Sequence, residues 1–125
     1  MSLGWDHTCE SFLNKKSDKI DYIWIGNPIQ MWGSAGIERN VTSKEIAAQN
    51  TAGDFAGATF HGLEYTFLRK EDDITYYKAH GKVALVYNAH DFTLVVFGKD
   101  SVETGGNCRY VLDYAKSWLN GNGYH

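Results

Sequence analysis

Residues 74–97 read ITYYKAHGKVALVYNAHDFTLVVF and carry the strongest signal for the architecture of the chain. Three runs rich in β-branched and aromatic residues, at 74–79, 82–87 and 92–97, predict three strands. The connectors are short, with His80-Gly81 between the first pair and residues 88–91 between the second. Short connectors join antiparallel neighbours, because a parallel pair needs a long crossover. The segment therefore predicts an antiparallel meander.

The residues before this meander predict more strands and a short helix. Strands are predicted at residues 19–26, 29–34, 59–61 and 63–69. Asn27-Pro28 predicts a turn after the first of them, and residues 70–73 predict an acidic turn after the last. The run from Thr42 to Glu45 matches a capping box, so a short helix is predicted to start there and to end near residue 49.

Both ends of the chain predict helices. Within residues 5–16 the apolar positions Trp5, Cys9, Phe12 and Leu13 follow one helical face, and residues 16–18 end the pattern. The second stripe consists of Cys108, Val111, Leu112, Ala115, Trp118 and Leu119. Gly105-Gly106 precedes this second helix and Gly121 ends it. A mostly antiparallel sheet with a helix at each end is an α+β domain, although element order alone does not show which faces the helices cover.

Composition limits the possible classes of protein. The 125 residues predict a single domain, in which we expect residues 1–3 and 125 to be cloning remnants. A formal net charge of −3 argues against generic nucleic-acid binding. The sequence has no secretory signal and no apolar run approaching the roughly 18 residues of a membrane span. Cys9 and Cys108 are predicted to be reduced, buried thiols in the cytoplasm.

Catalytic and metal-binding patterns are missing from the sequence. His7, His61, His80 and His90 have no metal-ligand spacing and are predicted to be surface or turn histidines. No nucleophile elbow, P-loop or dinucleotide-binding motif occurs. The chain is therefore predicted not to be an enzyme and to need no metal or cofactor.

The aromatic residues have an unusual distribution. Trp5 lies near one end of the chain, Trp118 and Tyr124 lie near the other, and Trp32 lies on an early predicted strand. One interpretation is that these rings only cover the edge of the core. The other is a platform for proline-rich segments in the polyproline II (PPII) conformation, whose flat rings pack on aromatic faces and whose carbonyls accept from Trp and Tyr donors. Composition alone leaves the two interpretations about even.

Several short motifs, in their order and spacing, resemble those of the profilin family over nearly the whole chain. They are Gly4-Trp5, Ile23-Trp24-Ile25-Gly26, Met31-Trp32-Gly33-Ser34, the run from Gly62 to Arg69, Leu94-Val95-Val96, Gly105-Gly106, Trp118-Leu119 and Gly123-Tyr124. The resemblance implies a central antiparallel sheet with the two terminal helices packed together on one face and smaller helices on the other. It also implies a cytoplasmic, cytoskeletal, monomeric protein that binds actin monomers, promotes nucleotide exchange on actin and binds phosphoinositide head groups.

The resemblance assigns two sets of residues. The proline-rich site comprises Trp5, Trp32, Trp118, Leu119 and Tyr124. Thr8 stands where the family often has tyrosine, which removes one ring and one hydroxyl from that site, whereas Trp118 keeps a flat ring where the family has tyrosine or histidine.

The implied actin surface comprises Thr66, Arg69, Lys78, Gly106, Arg109 and Asp113. Glu64 replaces a lysine of many relatives, and a pair of lysines is reduced to Lys78. Both changes weaken a basic patch, and phosphoinositide binding, which needs several converging cations, is affected more than actin binding. The alternative is a protein-interaction or trafficking module of the same fold that does not bind actin.

Overall fold

A computed structural model describes residues 3–16, 19–37, 41–53, 55–79, 81–99 and 106–125. The elements are α1 (Leu3–Leu13), a 3₁₀ turn (Asn14–Lys16), β1 (Ile20–Gly26), β2 (Met31–Gly36), α2 (Ser43–Thr51), β3 (Ala58–Phe60), β4 (Leu63–Glu71), β5 (Ile74–Ala79), β6 (Lys82–Asn88), β7 (Thr93–Lys99) and α3 (Gly106–Gly121). The strands form one sheet in the order β2-β1-β7-β6-β5-β4-β3, and all neighbours are antiparallel. The predicted meander is therefore confirmed, and β1 pairs with its last strand.

Two turns place strand ends differently from the sequence prediction. The second strand begins at Met31 rather than at residue 29. The Asn27 carbonyl side chain accepts from the backbone N–H groups of Ile29 (2.8 Å) and Gln30 (2.9 Å), which holds these residues in a turn. β4 continues through Glu71, so the acidic turn is shorter than predicted and consists of Asp72 and Asp73, both with positive φ (55° and 65°).

The terminal helices lie where the sequence predicts them, with small shifts. α1 ends at Leu13 and the 3₁₀ turn carries the chain to Lys16. The predicted helix end at Ser17 and Asp18, the glycine at 105 and the turn residue His80 lie outside the described residues.

The capping box before α2 is confirmed. The Thr42 hydroxyl accepts from the Glu45 N–H at 3.1 Å, and the Glu45 carboxylate accepts from the Thr42 N–H at 3.2 Å. The same carboxylate accepts from the N–H groups of His61 (2.8 Å) and Gly62 (3.0 Å), which ties α2 to the β3–β4 turn.

Alternating side chains give the sheet two apolar faces. On one face, sheet residues such as Ile23 and Val96 pack with Phe12 of α1 and Leu112 of α3. On the other, the core residues include Trp24, Tyr65, Val95, Phe97 and, from α2, Ile46. Both terminal helices therefore cover one face, as the resemblance implies, and the short helix among the described residues covers the other.

Cys9 and Cys108 are buried, unpaired thiols, as predicted. Burial, followed by the nearby Asp6 carboxylate, raises the pKa of Cys9 to about 12. A thiol with so high a pKa is a small core residue rather than a nucleophile. In the described part of the chain, no helix has both the length and the apolar content to cross a bilayer.

Candidate functional site

Three aromatic rings from distant parts of the chain meet on the outside of the sheet, and we call Trp5, Trp32 and Tyr124 the aromatic platform. The Trp5 ring centroid lies 5.2 Å from that of Trp32 and 5.2 Å from that of Tyr124, and Trp32 and Tyr124 are 6.0 Å apart. Each ring is only partly buried against the core. With Gln30 and Met31, the three rings line an open cavity of about 400 Å³.

Close packing of α1 on β2 places Trp5 beside Trp32. Gly33 makes this possible, because a Cβ at that position would lie 2.7 Å from the carbonyl carbon and 2.7 Å from the Cβ of Trp5. The Asp6 carboxylate also accepts from the Ser34 N–H at 3.0 Å. The first turn of α1 is thereby fixed to the strand that carries Trp32.

The end of α3 fixes Tyr124 through a Schellman motif. The Tyr124 N–H donates to the Leu119 carbonyl (3.0 Å) and the Gly123 N–H donates to that of Asn120 (3.3 Å), with φ of 92° at Gly123. The backbone of His125 bonds to Asp91, since its N–H donates to the carboxylate (2.9 Å) and its carbonyl accepts from the Asp91 N–H (3.2 Å). A tail that would otherwise fray is held on both sides of Tyr124.

The other two residues assigned to the proline-rich site lie differently. Leu119 is wholly buried, so it supports Tyr124 through its backbone and exposes no side chain to a ligand. Trp118 is exposed, and its ring packs edge-on against Phe12 at 5.5 Å rather than on the platform rings. Thr8, at the position of the missing tyrosine, donates its hydroxyl hydrogen to the Gly4 carbonyl at 2.7 Å.

The polar tips of the platform are available for a ligand. The indole N–H groups of Trp5 and Trp32 and the hydroxyl of Tyr124 have no hydrogen-bond partner within the described residues. Sequence reasoning found the rings but missed the positioning roles of Gly33, Asp6 and Asp91. The glycine-serine pair after Trp32 was the one local signal for a close approach of backbone.

A second surface, which we call the polar face, contains the residues assigned to actin. Thr66 and Lys78 are exposed cross-strand partners on β4 and β5. Next to them, Arg69 stacks on the buried ring of Tyr76, with 4.0 Å between its guanidinium carbon and the ring centroid. Gly106, Arg109 and Asp113 lie on the first turns of α3.

Arg109 is the centre of an ionic network on the polar face. Its guanidinium donates to the carboxylates of Asp72 (2.8 Å) and Asp113 (3.0 Å) and to the Tyr76 hydroxyl (2.8 Å), with Glu71 at 3.5 Å. The hydrogen bonds to Asp72 and Tyr76, in that order, raise the pKa of Arg109 above its usual range. The positive charge of Arg109 is thus engaged within the chain.

Among the described residues, no three His, Cys, Asp or Glu side chains are grouped so that they could hold a metal ion. The site described above offers aromatic faces, hydrogen-bond donors and a few cations. Such an arrangement can bind an extended chain or a protein surface.

The comparisons with known proteins identify the fold. No model of a known protein family matches the sequence, and no curated protein sequence matches it. Among solved structures, Schizosaccharomyces pombe profilin is similar, with a TM-score of 0.77, 20% identity, and coverage of 96% of this chain and 99% of that one. Acanthamoeba castellanii profilin IB gives a TM-score of 0.76 and 19% identity, with the same coverage of 96% and 99%. LokiProfilin2, solved in complex with rabbit actin, gives 0.71 and 15%, covering 96% of this chain and 98% of that one.

The architecture is that of an α+β protein whose terminal helices share one face of a curled antiparallel sheet. This chain has the profilin fold.

Proposed function

We propose that the chain acts as a profilin, which binds proline-rich segments on the aromatic platform and monomeric actin on the polar face, and so regulates actin assembly. The observation that carries the proposal is the meeting of Trp5, Trp32 and Tyr124 in one open patch. The rings come from both ends of the chain and from an early strand, and fixing the two ends costs entropy that a simple core edge does not require.

A PPII ligand fits the platform because their chemistries match. The ligand is already extended and loses little entropy on docking, and its pyrrolidine rings are flat. Its carbonyls have no internal donor, while two indole N–H groups and one phenol on the platform have no partner among the described residues.

Retention on immobilised poly-L-proline tests this part of the proposal. We expect the native chain to be retained and Trp5→Ala to lose at least tenfold in affinity, because Trp5 contacts both other rings. Phe55→Ala is the matched control, since Phe55 is an exposed ring elsewhere, against Phe67 of β4. Equal retention of Trp5→Ala and the native chain would contradict the proposal.

Actin binding is supported by the fold and by the location of the polar face. A neighbour of the same fold was solved with rabbit actin. Lys78 and Thr66 offer an exposed patch on β4 and β5 beside α3, and Lys78 adds a cation for an acidic partner.

Polymerisation of pyrene-labelled actin separates this proposal from its alternative. Excess native protein should slow spontaneous nucleation, and Lys78→Glu should weaken that effect severalfold because it places a carboxylate against an acidic partner. Lys44→Glu on α2 is the matched charge reversal and should behave as native. Unchanged kinetics with the native chain would favour a profilin-fold interaction module that does not bind actin.

The remaining expectations depend on this proposal. Promotion of nucleotide exchange on actin, a cytoplasmic location and the lack of enzymatic activity all follow from it. Phosphoinositide binding stays a prediction, and a weak one, because Arg109 is held by Asp72 and Asp113 and contributes little to a converging cationic patch.

A further inference from the structure

The seam between the terminal helices extends away from the platform. α1 and α3 run antiparallel, because Trp5 at the start of α1 contacts Tyr124 after the end of α3, and Lys16 after α1 lies over Tyr110 near the start of α3. Phe12 contacts Trp118 between these two ends. A ligand that leaves the platform along this seam therefore passes over α3.

Three exposed aromatic residues mark this path, and we call Tyr110, Tyr114 and Trp118 the seam stripe. Their i, i+4, i+8 spacing places them on one face of α3. Their exposed fractions are 52%, 37% and 39%. The buried ring of Phe12 supports two of them edge-on, at 6.0 Å from Tyr114 and 5.5 Å from Trp118. The stripe thus has a fixed floor and faces open to solvent.

The far end of the stripe is positively charged. The Lys15 ammonium lies 4.6 Å from the centroid of the Tyr114 ring, and that of Lys16 lies 5.0 Å from the Tyr110 ring. Within the described residues neither lysine is paired with a carboxylate. In a chain of net charge −3, two unpaired cations beside exposed rings form a local patch that suits an acidic ligand.

We infer that the proline-rich ligand continues from the aromatic platform along the seam stripe and that it carries acidic residues at the end that reaches Lys15 and Lys16. The inference rests on the proposed function of the platform and extends it, since it names the ligand as a long proline-rich segment with an acidic flank. Proline rings pack on the stripe as they do on the platform, and the carboxylates pair with the two ammonium groups.

The dimensions set the length of this ligand. From Trp5 to Lys16 the helix rises about 16 Å at roughly 1.5 Å per residue. A PPII segment advances about 3.1 Å per residue, so about five residues span the seam beyond those that cover the platform. A six-residue ligand therefore stays on or near the platform, whereas a ten-residue ligand reaches the lysines.

Fluorescence anisotropy with labelled peptides tests the inference. The probes are hexaproline, decaproline, decaproline with three glutamates at either end, and a proline-free Gly-Ser decamer with three glutamates. At low salt we expect one of the two acidic decaprolines to bind roughly threefold to tenfold more tightly than decaproline, which is the effect of two exposed ion pairs. That preference should shrink in 0.5 M salt, where screening is strong.

Variants assign the preference to the seam. The double substitution Lys15→Glu, Lys16→Glu should abolish it and leave hexaproline binding unchanged, whereas Lys44→Glu, Lys78→Glu, an equal charge change elsewhere, should keep it. Tyr114→Ser should weaken the acidic decaproline severalfold and hexaproline hardly at all. Circular dichroism verifies that each variant is folded.

Each contrary outcome has a distinct meaning. If the native chain binds no proline peptide, the proposed function of the platform fails and the inference fails with it. If proline peptides bind without an acidic preference, or the preference survives the Lys15 and Lys16 substitutions, the inference alone is overturned. Equal binding of the proline-free acidic peptide, or loss of phosphatidylserine-vesicle binding instead of peptide binding in the double variant, would also overturn it.

Discussion

The aromatic platform and the polar face differ in how far their side chains are already engaged within the chain. On the platform three rings contact one another, yet their polar tips have no partner within the described residues. On the polar face Arg109 bonds to Asp72, Asp113 and Tyr76. The first surface is assembled but unsatisfied, whereas the centre of the second is satisfied. The comparison teaches that exposed charge is a poorer guide to a binding site than an ordered group without a partner.

The largest expected effect comes from breaking the platform at Gly33. In Gly33→Ala the new Cβ meets backbone and Cβ atoms of Trp5 at 2.7 Å, so α1 must shift away from β2. We expect the free energy of unfolding to fall by about 2–3 kcal/mol and polyproline affinity to fall more than tenfold. Urea unfolding and peptide titration measure the two effects.

Gly4→Ala is the control for this substitution. Gly4 also lies on α1, but a Cβ there meets nothing within 4 Å, so the variant should be as stable as the native chain or slightly more so. Unchanged polyproline binding by Gly33→Ala would show that the platform does not depend on the approach of α1 to β2.

The next effect concerns the polar face. Arg109→Gln removes the hydrogen bond to the buried Tyr76 hydroxyl and leaves the carboxylates of Asp72 and Asp113 without a cation. We expect a loss of about 1–2 kcal/mol in urea unfolding. Polyproline binding should not change, because the two surfaces share no contact described here.

Lys44→Gln removes an exposed cation of α2 and is the control, with an expected change below about 0.5 kcal/mol. If a folded Arg109→Gln protein lost polyproline binding, the two surfaces would be coupled and the comparison would need revision.

A smaller effect is expected at the end of α3. Gly123 has φ of 92°, and a Cβ there meets nothing within 4 Å, so Gly123→Ala adds backbone strain without a clash. We expect a cost of about 1 kcal/mol and a modest loss of polyproline affinity as Tyr124 moves. Gly121→Ala, where no contact and no positive φ occur, should be neutral in both assays.

The smallest effect is an expected lack of reaction. Because burial and Asp6 raise the pKa of Cys9 to about 12, raising the pH from 8 to 10 should not accelerate its labelling by a disulfide reagent, whereas a thiol of ordinary pKa reacts faster. The test uses Cys108→Ala, so that Cys9 is the only thiol, with urea-unfolded protein as the positive control. Rapid labelling of the folded protein would show that α1 opens readily, and the rigid side of the comparison would be lost.

Local patterns predicted the elements well because they depend on neighbours in sequence. The strand at 74–79 and the capping box at Thr42 match the structure, and the helical stripes at both ends correspond to α1 and α3. The start of β2 was predicted two residues early, because the side-chain bonds of Asn27 to the next turn are not visible as a hydrophobic pattern.

The candidate site was predicted only in part. The sequence singled out the rings, but the structure brings together Trp5, Trp32 and Tyr124 and places Trp118 against Phe12. Nothing local predicts that Arg109 on α3 meets Asp72 from the β4–β5 turn.

The sequence by itself determined the period of each element, the stock of aromatic residues and the weak net charge, since these are properties of adjacent residues and of composition. Only the tertiary structure decided which rings meet and which charges are neutralised. The sheet order inserts β7 between β1 and β6, both terminal helices pack on one face, and Gly33 lets one helix touch a strand. Such contacts join residues far apart in the chain, and packing decides them rather than local propensity.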